Sequence, residues 1–193
     1  MTRQNRLTAG GMVLLCGLVA ILARPAAAEA LFTLKGKTPE TQLASEADIR
    51  VSVLGWTEAA KAKAIANQYA QAADQLAAFL AKQETEGYLF TAESVGYSIK
   101  YAWQADEPDG KHMVLAIMPA LKTHNPYMWK QAAPANPGYT LLDLQWQGSE
   151  ALMRTSLDAP VKVDAQGRLA LGADAKTRVF ARLRDDTPYY LKH

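Results

Sequence analysis

The hydrophobic pattern of the chain changes after Gly87 from the period of a helix to the period of a strand. Between residues 57 and 83, apolar side chains recur every third or fourth residue. Beyond Gly87, one segment after another has apolar side chains at every second residue. The first period is typical of a helix with one buried face, and the second of strands with one buried face. The chain is thereby restricted to folds that combine one long helix with an antiparallel sheet.

The helix is predicted to begin at Thr57, a residue type that caps helix N-termini well, and to end at Gln83. Eleven residues between positions 59 and 81 are alanine, which has the highest helix propensity. Ile65 and Leu76 belong to one apolar stripe, whereas Lys63 falls outside it. We expect this stripe to pack on the sheet.

The predicted strands cover residues 31–34, 48–54, 97–103, 111–118, 140–147, 151–157, 161–163, 169–171 and 177–183. The sequence from Glu107 to Gly110 reads Glu-Pro-Asp-Gly, which is typical of a tight turn and predicts a hairpin. On the strand before that turn, Tyr97, Tyr101 and Trp103 alternate and are expected to share one face. The predicted fold class is α+β, a curled antiparallel sheet of six to eight strands packed on one long helix inserted after an early strand.

The first 28 residues have the pattern of a secretory signal peptide. Arg3 and Arg6 precede an apolar run, and three small residues at positions 26–28 suit a signal peptidase. We therefore expect a signal over residues 1–28, a single domain over residues 29–193, and a periplasmic or secreted protein. A lipoprotein signal has a small residue directly before the cysteine that is lipidated, whereas Leu15 precedes Cys16 here. No stable membrane anchor is therefore expected.

Charge and cysteine content narrow the chemistry of the predicted exported domain. Its 18 basic and 19 acidic residues nearly balance, so nucleic acid is not an expected partner. Cys16, the single cysteine of the chain, lies in the predicted signal. The exported domain would therefore have neither a disulfide nor a thiol nucleophile.

Several structural motifs resemble those of an uncharacterised family of small secreted bacterial proteins. The resemblance rests on Trp56-Thr57, on Gly96-Tyr97 with Tyr101-Ala102, on Asp109-Gly110 and on Pro119 after a strand. Met118 stands where the relatives often have arginine. The resemblance implies a signal peptide and one α+β domain, and it implies no activity, cofactor or catalytic residue.

No metal or cofactor is predicted from the motifs of the chain. His112, His124 and His193 are too far apart in sequence to form a helical pair of metal ligands. His112 follows a turn and is expected to be a solvated strand residue. There is no phosphate-binding loop and no dinucleotide fingerprint.

Residues 119–138 form a long connection with four of the nine prolines. Because long loops in small domains often serve recognition, we expect this one to cover an aromatic cleft. The candidate ligand-binding residues are Tyr97, Tyr101, Trp103, His124, Tyr127 and Trp129. The predicted function is a non-catalytic binding or accessory module for a small apolar ligand or an envelope protein. Two alternatives stay open: an envelope hydrolase or isomerase that uses His124 with Asp106 or Asp109, and a purely structural interaction protein.

Overall fold

The computed structural model describes residues 30–38, 47–91, 96–121, 138–156, 160–172 and 179–187. The strands are β1 (Phe32–Lys37), β2 (Asp48–Val53), β3 (Gly87–Thr91), β4 (Tyr97–Glu107), β5 (Gly110–Met118), β6 (Thr140–Gln147), β7 (Glu150–Thr155), β8 (Val161–Val163), β9 (Leu169–Leu171) and β10 (Ala181–Asp185). The helices are α1 (Ala59–Gln71) and α2 (Leu76–Ala81), with a 3-10 turn at Ala73–Gln75 between them.

Eight of the strands form a closed antiparallel barrel. Strands β2 to β7 pair in chain order, β7 pairs with β10, and β1 lies between β10 and β2. Leu34 on β1 faces Val51 on one side and Asp185 on the other. Strands β8 and β9 form a separate two-stranded hairpin.

The predicted curled sheet on one long helix is therefore wrong, because the fold is mostly strands and the sheet closes on itself. Closure gives β1 a hydrogen-bonded neighbour at each edge, which removes the free edges of an open sheet. Strand β3 was not predicted, since Tyr88, Leu89 and Phe90 are consecutive apolar residues with no alternation. Without β3, the sheet lacks the connection between β2 and β4 that completes the barrel.

The inside of the barrel is filled mainly by aliphatic side chains from all eight strands. These are Leu34, Ile49, Val51, Val53, Leu89, Tyr97, Ile99, Ala102, Met113, Leu115, Ile117, Leu121, Leu142, Leu144, Ala151, Met153, Ala181 and Leu183, and we call them the interior cluster. Phe32, Trp56, Trp146 and Phe180 pack against it and are partly buried. Burial of this apolar surface is the main stabilising contribution to the barrel.

A second layer covers the outside of β4, β5 and β6. Ile65 from α1 and Leu76 from α2 are fully buried there with Leu141 of β6 and Leu169 of the β8–β9 hairpin. The predicted helix face is thus confirmed, and Lys63 is exposed. Strands β4, β5 and β6 therefore separate two apolar cores. One core fills the inside of the barrel, and the other lies between these strands and the helices outside.

The single helix predicted from Thr57 to Gln83 is wrong, because the backbone leaves helical geometry at Ala72, with φ −153° and ψ 76°. An unbroken helix of that length would measure about 40 Å, whereas a strand such as β5 spans only about 30 Å. The break lets α1 and α2 both pack on the outside of β4, β5 and β6. Thr57 also does not cap the helix, since its Oγ1 accepts the backbone N–H of Ala102 on β4 at 2.9 Å.

The two ends of the barrel differ in their connections. Pro108–Asp109 between β4 and β5 and Gly148–Ser149 between β6 and β7 are two-residue turns at the same end, which we call the turn end. The predicted hairpin at Asp109–Gly110 is confirmed. Within the described ranges, no helix is long and apolar enough to cross a membrane. The predicted signal over residues 1–28 lies outside them and stays a prediction.

Candidate functional site

The aromatic residues predicted to share one face of β4 do not share it. Ile99 pairs with Ile117, but the next pair is Tyr101 with Ala116, so Lys100 is an extra residue on β4. An extra residue of this kind is a β-bulge, and it turns the following side chains to the other face of the sheet.

The bulge separates the three described members of the predicted ligand-binding set. Tyr97 belongs to the interior cluster, at the end of the barrel opposite the turn end. Tyr101 and Trp103 face outward into the layer under the helices. The single aromatic face is therefore a wrong prediction. The remaining three candidates, His124, Tyr127 and Trp129, lie outside the described residues.

Tyr101 and Trp103 attach the β8–β9 hairpin to the barrel wall. The Tyr101 hydroxyl accepts the backbone N–H of Leu169 at 3.2 Å, and the Trp103 indole N–H donates to the Leu169 carbonyl at 3.1 Å. Burial raises the pKa of Tyr101 well above its usual value. Arg168 lies over the Trp103 ring, with its guanidinium carbon 3.9 Å from the ring centroid. Both side chains therefore have a structural role, which is to hold the β8–β9 hairpin against the barrel.

Tyr101→Phe is expected to lower the free energy of unfolding by about 1 to 3 kcal/mol, because the Leu169 N–H would lose its buried acceptor. Urea unfolding followed by circular dichroism measures the loss. Tyr88→Phe is the control, since the Tyr88 side chain is exposed and should be insensitive. Equal stability of the two variants would show that the hydroxyl does not hold the hairpin.

At the turn end of the barrel, two rings and a lysine lie together. Phe32 begins β1 and Trp146 lies near the end of β6, and their ring centroids are 6.0 Å apart at an angle of 50°. Lys111 Nζ lies 5.2 Å from the Trp146 centroid and 5.7 Å from the Phe32 centroid. We call Phe32, Lys111 and Trp146 the mouth cluster.

The mouth cluster forms because the barrel brings distant strands together. Phe32 and Lys111 follow the inward alternation set by Leu34 and Met113 on their own strands. Trp146 continues the inward alternation of β6. At the turn end, these inward-facing positions lie at the opening of the barrel. All three side chains are therefore only partly buried.

Lys111 has no ion-pair partner among the residues that the structure describes. Asp106 is its register partner on β4, and no ion pair joins the two. The described contacts of the ammonium group are the faces of two aromatic rings, which attract a cation within about 6 Å of a ring centroid. The cluster thus presents a positive charge beside apolar ring surface.

A second polar cluster lies on the outside of β5, β6 and β7. The His112 Nδ1 atom is 3.0 Å from Asp143 Oδ1, and its Nε2 atom is 3.1 Å from Asp109 Oδ1. Arg154 Nη2 donates to Asp143 Oδ2, and Gln145 Nε2 donates to Asp109 Oδ2 at 3.0 Å. The Asp143 side chain is 7% exposed, whereas that of Asp109 is 63% exposed. The imidazole thus bridges a buried and an exposed carboxylate.

The prediction that His112 is a solvated strand residue is wrong, because its side chain is only 13% exposed. Sequence reasoning missed the cluster since His112 and Asp143 come from β5 and β6, which the long connection over residues 119–138 separates in sequence. The outward alternation of Asp143 between Leu142 and Leu144 was the available signal. A buried carboxylate that holds an imidazole through Nδ1 is an arrangement that acid–base catalysis can use.

Two buried polar atoms in the described part of the chain lack a hydrogen-bond partner. They are Arg154 Nε, beside the pair with Asp143, and Thr155 Oγ1. Thr155 pairs with Leu142 and continues the inward alternation of Met153, which places it on the inner face of the barrel. Among the described ranges, no three acidic, histidine or cysteine side chains are grouped in a way that could hold a metal ion.

Comparison of the chain with protein-family models, with curated proteins and with solved structures finds no match. The resemblance described from the turn glycines and strand aromatics therefore stays a prediction. The features of the molecule that bear on function are the mouth cluster and the cluster around His112.

Proposed function

We propose that this protein is a non-catalytic binding module for a small apolar ligand that carries a negative charge. The observation that carries the proposal is the position of Lys111, a cation without an ion-pair partner among the described residues, above the rings of Phe32 and Trp146. Small-ligand sites are mainly apolar and contain a few polar groups that orient the ligand. The mouth cluster supplies both kinds of group.

We propose that the ligand lies at the mouth of the barrel, because side chains fill the inside. An eight-stranded barrel is just wide enough for side chains to fill or for one small ligand to enter. Here Leu34, Leu115 and Leu142 are fully buried in the interior cluster. An apolar ligand would therefore lie against the outer faces of the two rings, with its charged group at Lys111.

The cleft predicted under residues 119–138 is a different location. That connection follows Met118 at the end of the barrel opposite the mouth cluster, where Tyr97 also lies. Since His124 and Trp129 lie outside the described residues, a role for them stays a prediction.

Decanoate should bind the wild-type protein more tightly than decanol, a neutral chain of the same length, and Lys111→Met should remove this preference. Methionine keeps apolar contact with the rings and removes the charge. We expect decanoate affinity to fall roughly tenfold, which corresponds to about 1.4 kcal/mol. Quenching of tryptophan fluorescence, with Trp146 at the site, reports binding, and calorimetry measures the affinity.

Lys63→Met is the matched control, because Lys63 is an exposed helix residue and the substitution changes the net charge equally. It should leave both affinities unchanged. A wild-type protein that binds decanol as tightly as decanoate would contradict the proposal. A protein partner in the cell envelope, the other occupant predicted from the sequence, would cover the same rings, and free decanoate would then fail to bind.

The second candidate function is an acid–base enzyme, and the position of His112 between Asp143 and Asp109 favours it. Of the predicted catalytic set, Asp109 contacts His112, Asp106 is not part of the cluster, and His124 lies outside the described residues. Hydrolysis of a p-nitrophenyl ester tests this function. A wild-type rate that is lost in His112→Gln and kept in Lys111→Met would support the enzyme and count against a purely binding role.

A further inference from the structure

One wall of the barrel has no covering layer among the described elements. The helices and the β8–β9 hairpin pack outside β4, β5 and β6, whereas β10, β1, β2 and β3 lie on the other side of the barrel. We call the outer face of these four strands the bare wall. Its outward side chains include Lys35, Lys37, Arg50, Tyr88, Phe90, Arg182 and Arg184.

Three cations of the bare wall lie side by side across neighbouring strands. Arg184 on β10 pairs with Lys35 on β1, and Lys35 pairs with Arg50 on β2. Neighbouring strands are about 4.8 Å apart, so the row spans roughly 10 Å. Like charges directly opposite each other on paired strands are destabilising. A row of this kind is therefore a surface that an anionic partner would stabilise.

Carboxylates from the described residues neutralise only part of this row. Arg184 pairs with Glu150 at 2.8 Å, and Lys35 pairs with Asp186. Glu150 is shared, because Arg182 also approaches it at 3.8 Å. Arg50 lies over a ring, with its guanidinium carbon 4.6 Å from the Phe90 centroid. Among the described residues, three cations of the wall, Lys35, Arg182 and Arg184, thus share two carboxylates, Glu150 and Asp186.

Exposed apolar side chains lie on the same side of the barrel as the cations. Among the described residues, the large hydrophobic side chains with the greatest exposure are Leu31, at 51%, and Tyr88, at 38%. Leu31 directly precedes β1, and Tyr88 is an outward residue of β3 next to Phe90, with the two rings 6.0 Å apart. Cations together with tyrosine and other apolar side chains are typical of surfaces that bind the headgroup region of a bilayer.

We propose that the bare wall docks on a lipid bilayer that contains anionic headgroups. Lys35, Arg50 and Arg184 would contact phosphate groups, and Tyr88 would lie at the depth of the headgroups. Each cation near an anionic bilayer contributes roughly fivefold to the partition coefficient. This surface is distinct from the mouth cluster, and the proposal does not depend on the binding function of that cluster.

Co-sedimentation of the full chain with vesicles tests the proposal. Vesicles of phosphatidylcholine mixed with phosphatidylglycerol should bind the protein, vesicles of phosphatidylcholine alone should bind it less, and added salt should weaken the binding. The double variant Lys35→Gln/Arg50→Gln should reduce partitioning into the anionic vesicles by about 25-fold, the product of two cations at roughly fivefold each.

Lys63→Gln/Lys82→Gln is the matched control, because both lysines are exposed on the helix side and the change in net charge is the same. Residues 1–28 are common to both double variants, so the contrast isolates the wall. The control should partition like the wild type. Equal partitioning of the two double variants would overturn the proposal, as would a wild-type protein without preference for anionic vesicles. Binding to heparin or to an oligonucleotide in preference to the vesicles would also overturn it.

Discussion

Gly36→Ala is expected to destabilise the barrel by more than about 4 kcal/mol, which is exceptional for a single substitution. A Cβ atom at this position would lie 1.9 Å from the backbone oxygen of Arg182 and 2.8 Å from the Cα atom of Leu183. Both are backbone atoms of β10, so no side-chain rotation can relieve the contact. Gly36 lies in the β1–β10 pairing that closes the barrel, and a shift there would open the sheet.

Urea unfolding followed by circular dichroism measures this loss, and absence of the strand signal in the variant would be its extreme form. Gly148→Ala is the control. Gly148 has φ +63° in a turn with no atom within 4 Å of the added Cβ, so only the left-handed backbone is penalised, at about 1 to 2 kcal/mol. Similar losses in the two variants would show that the approach of β10 to Gly36 does not limit closure.

Arg154→Met should lower the free energy of unfolding by about 3 kcal/mol, because it removes the strongest partner of a buried carboxylate. Among the described residues, Asp143 would then keep its hydrogen bond with His112 alone. Loss of one partner of a buried ion pair typically costs 3 to 5 kcal/mol, and the lower end applies because the Arg154 side chain is 24% exposed.

Asp143→Leu/Arg154→Met separates loss of the pair from loss of packing. Replacing both partners of a buried pair with apolar residues is often neutral. The double variant should therefore recover most of the stability lost by Arg154→Met. Arg184→Met is the control for an exposed pair and should change stability by less than about 1 kcal/mol. A double variant less stable than Arg154→Met would show that the buried charges stabilise the fold on balance.

Strand pairs joined by a tight turn with clear alternation on both sides could be predicted, because their signals are local. The turn at Asp109–Gly110 and the alternation on each side of it predict the β4–β5 hairpin, which the structure confirms. Ile65 and Leu76 were assigned to the buried helix face by their spacing, and both are fully buried. In each case the pattern reports which side of one element meets the core.

The candidate site could be predicted only in part. Lys111 and Trp146 were recognised as members of alternating strands, but Phe32 reaches them only after β1 has paired with β10. The His112 cluster needs His112 of β5 to lie beside Asp143 of β6, and these two strands are separated in sequence by the long connection over residues 119–138. Such contacts depend on register between distant segments, and register has no signature within either segment.

The sequence by itself determined which residues alternate, where the tight turns lie and which helix face is apolar, because each depends on the chemistry of neighbouring residues. The tertiary structure decided the closure of the barrel, the bulge at Lys100 and the break at Ala72. No glycine or proline marks either of these two positions. The bulge and the break arise because eight strands must pair in a register that closes the barrel, and because the helices must fit the strands that they cover. Only the assembled barrel buries both apolar cores.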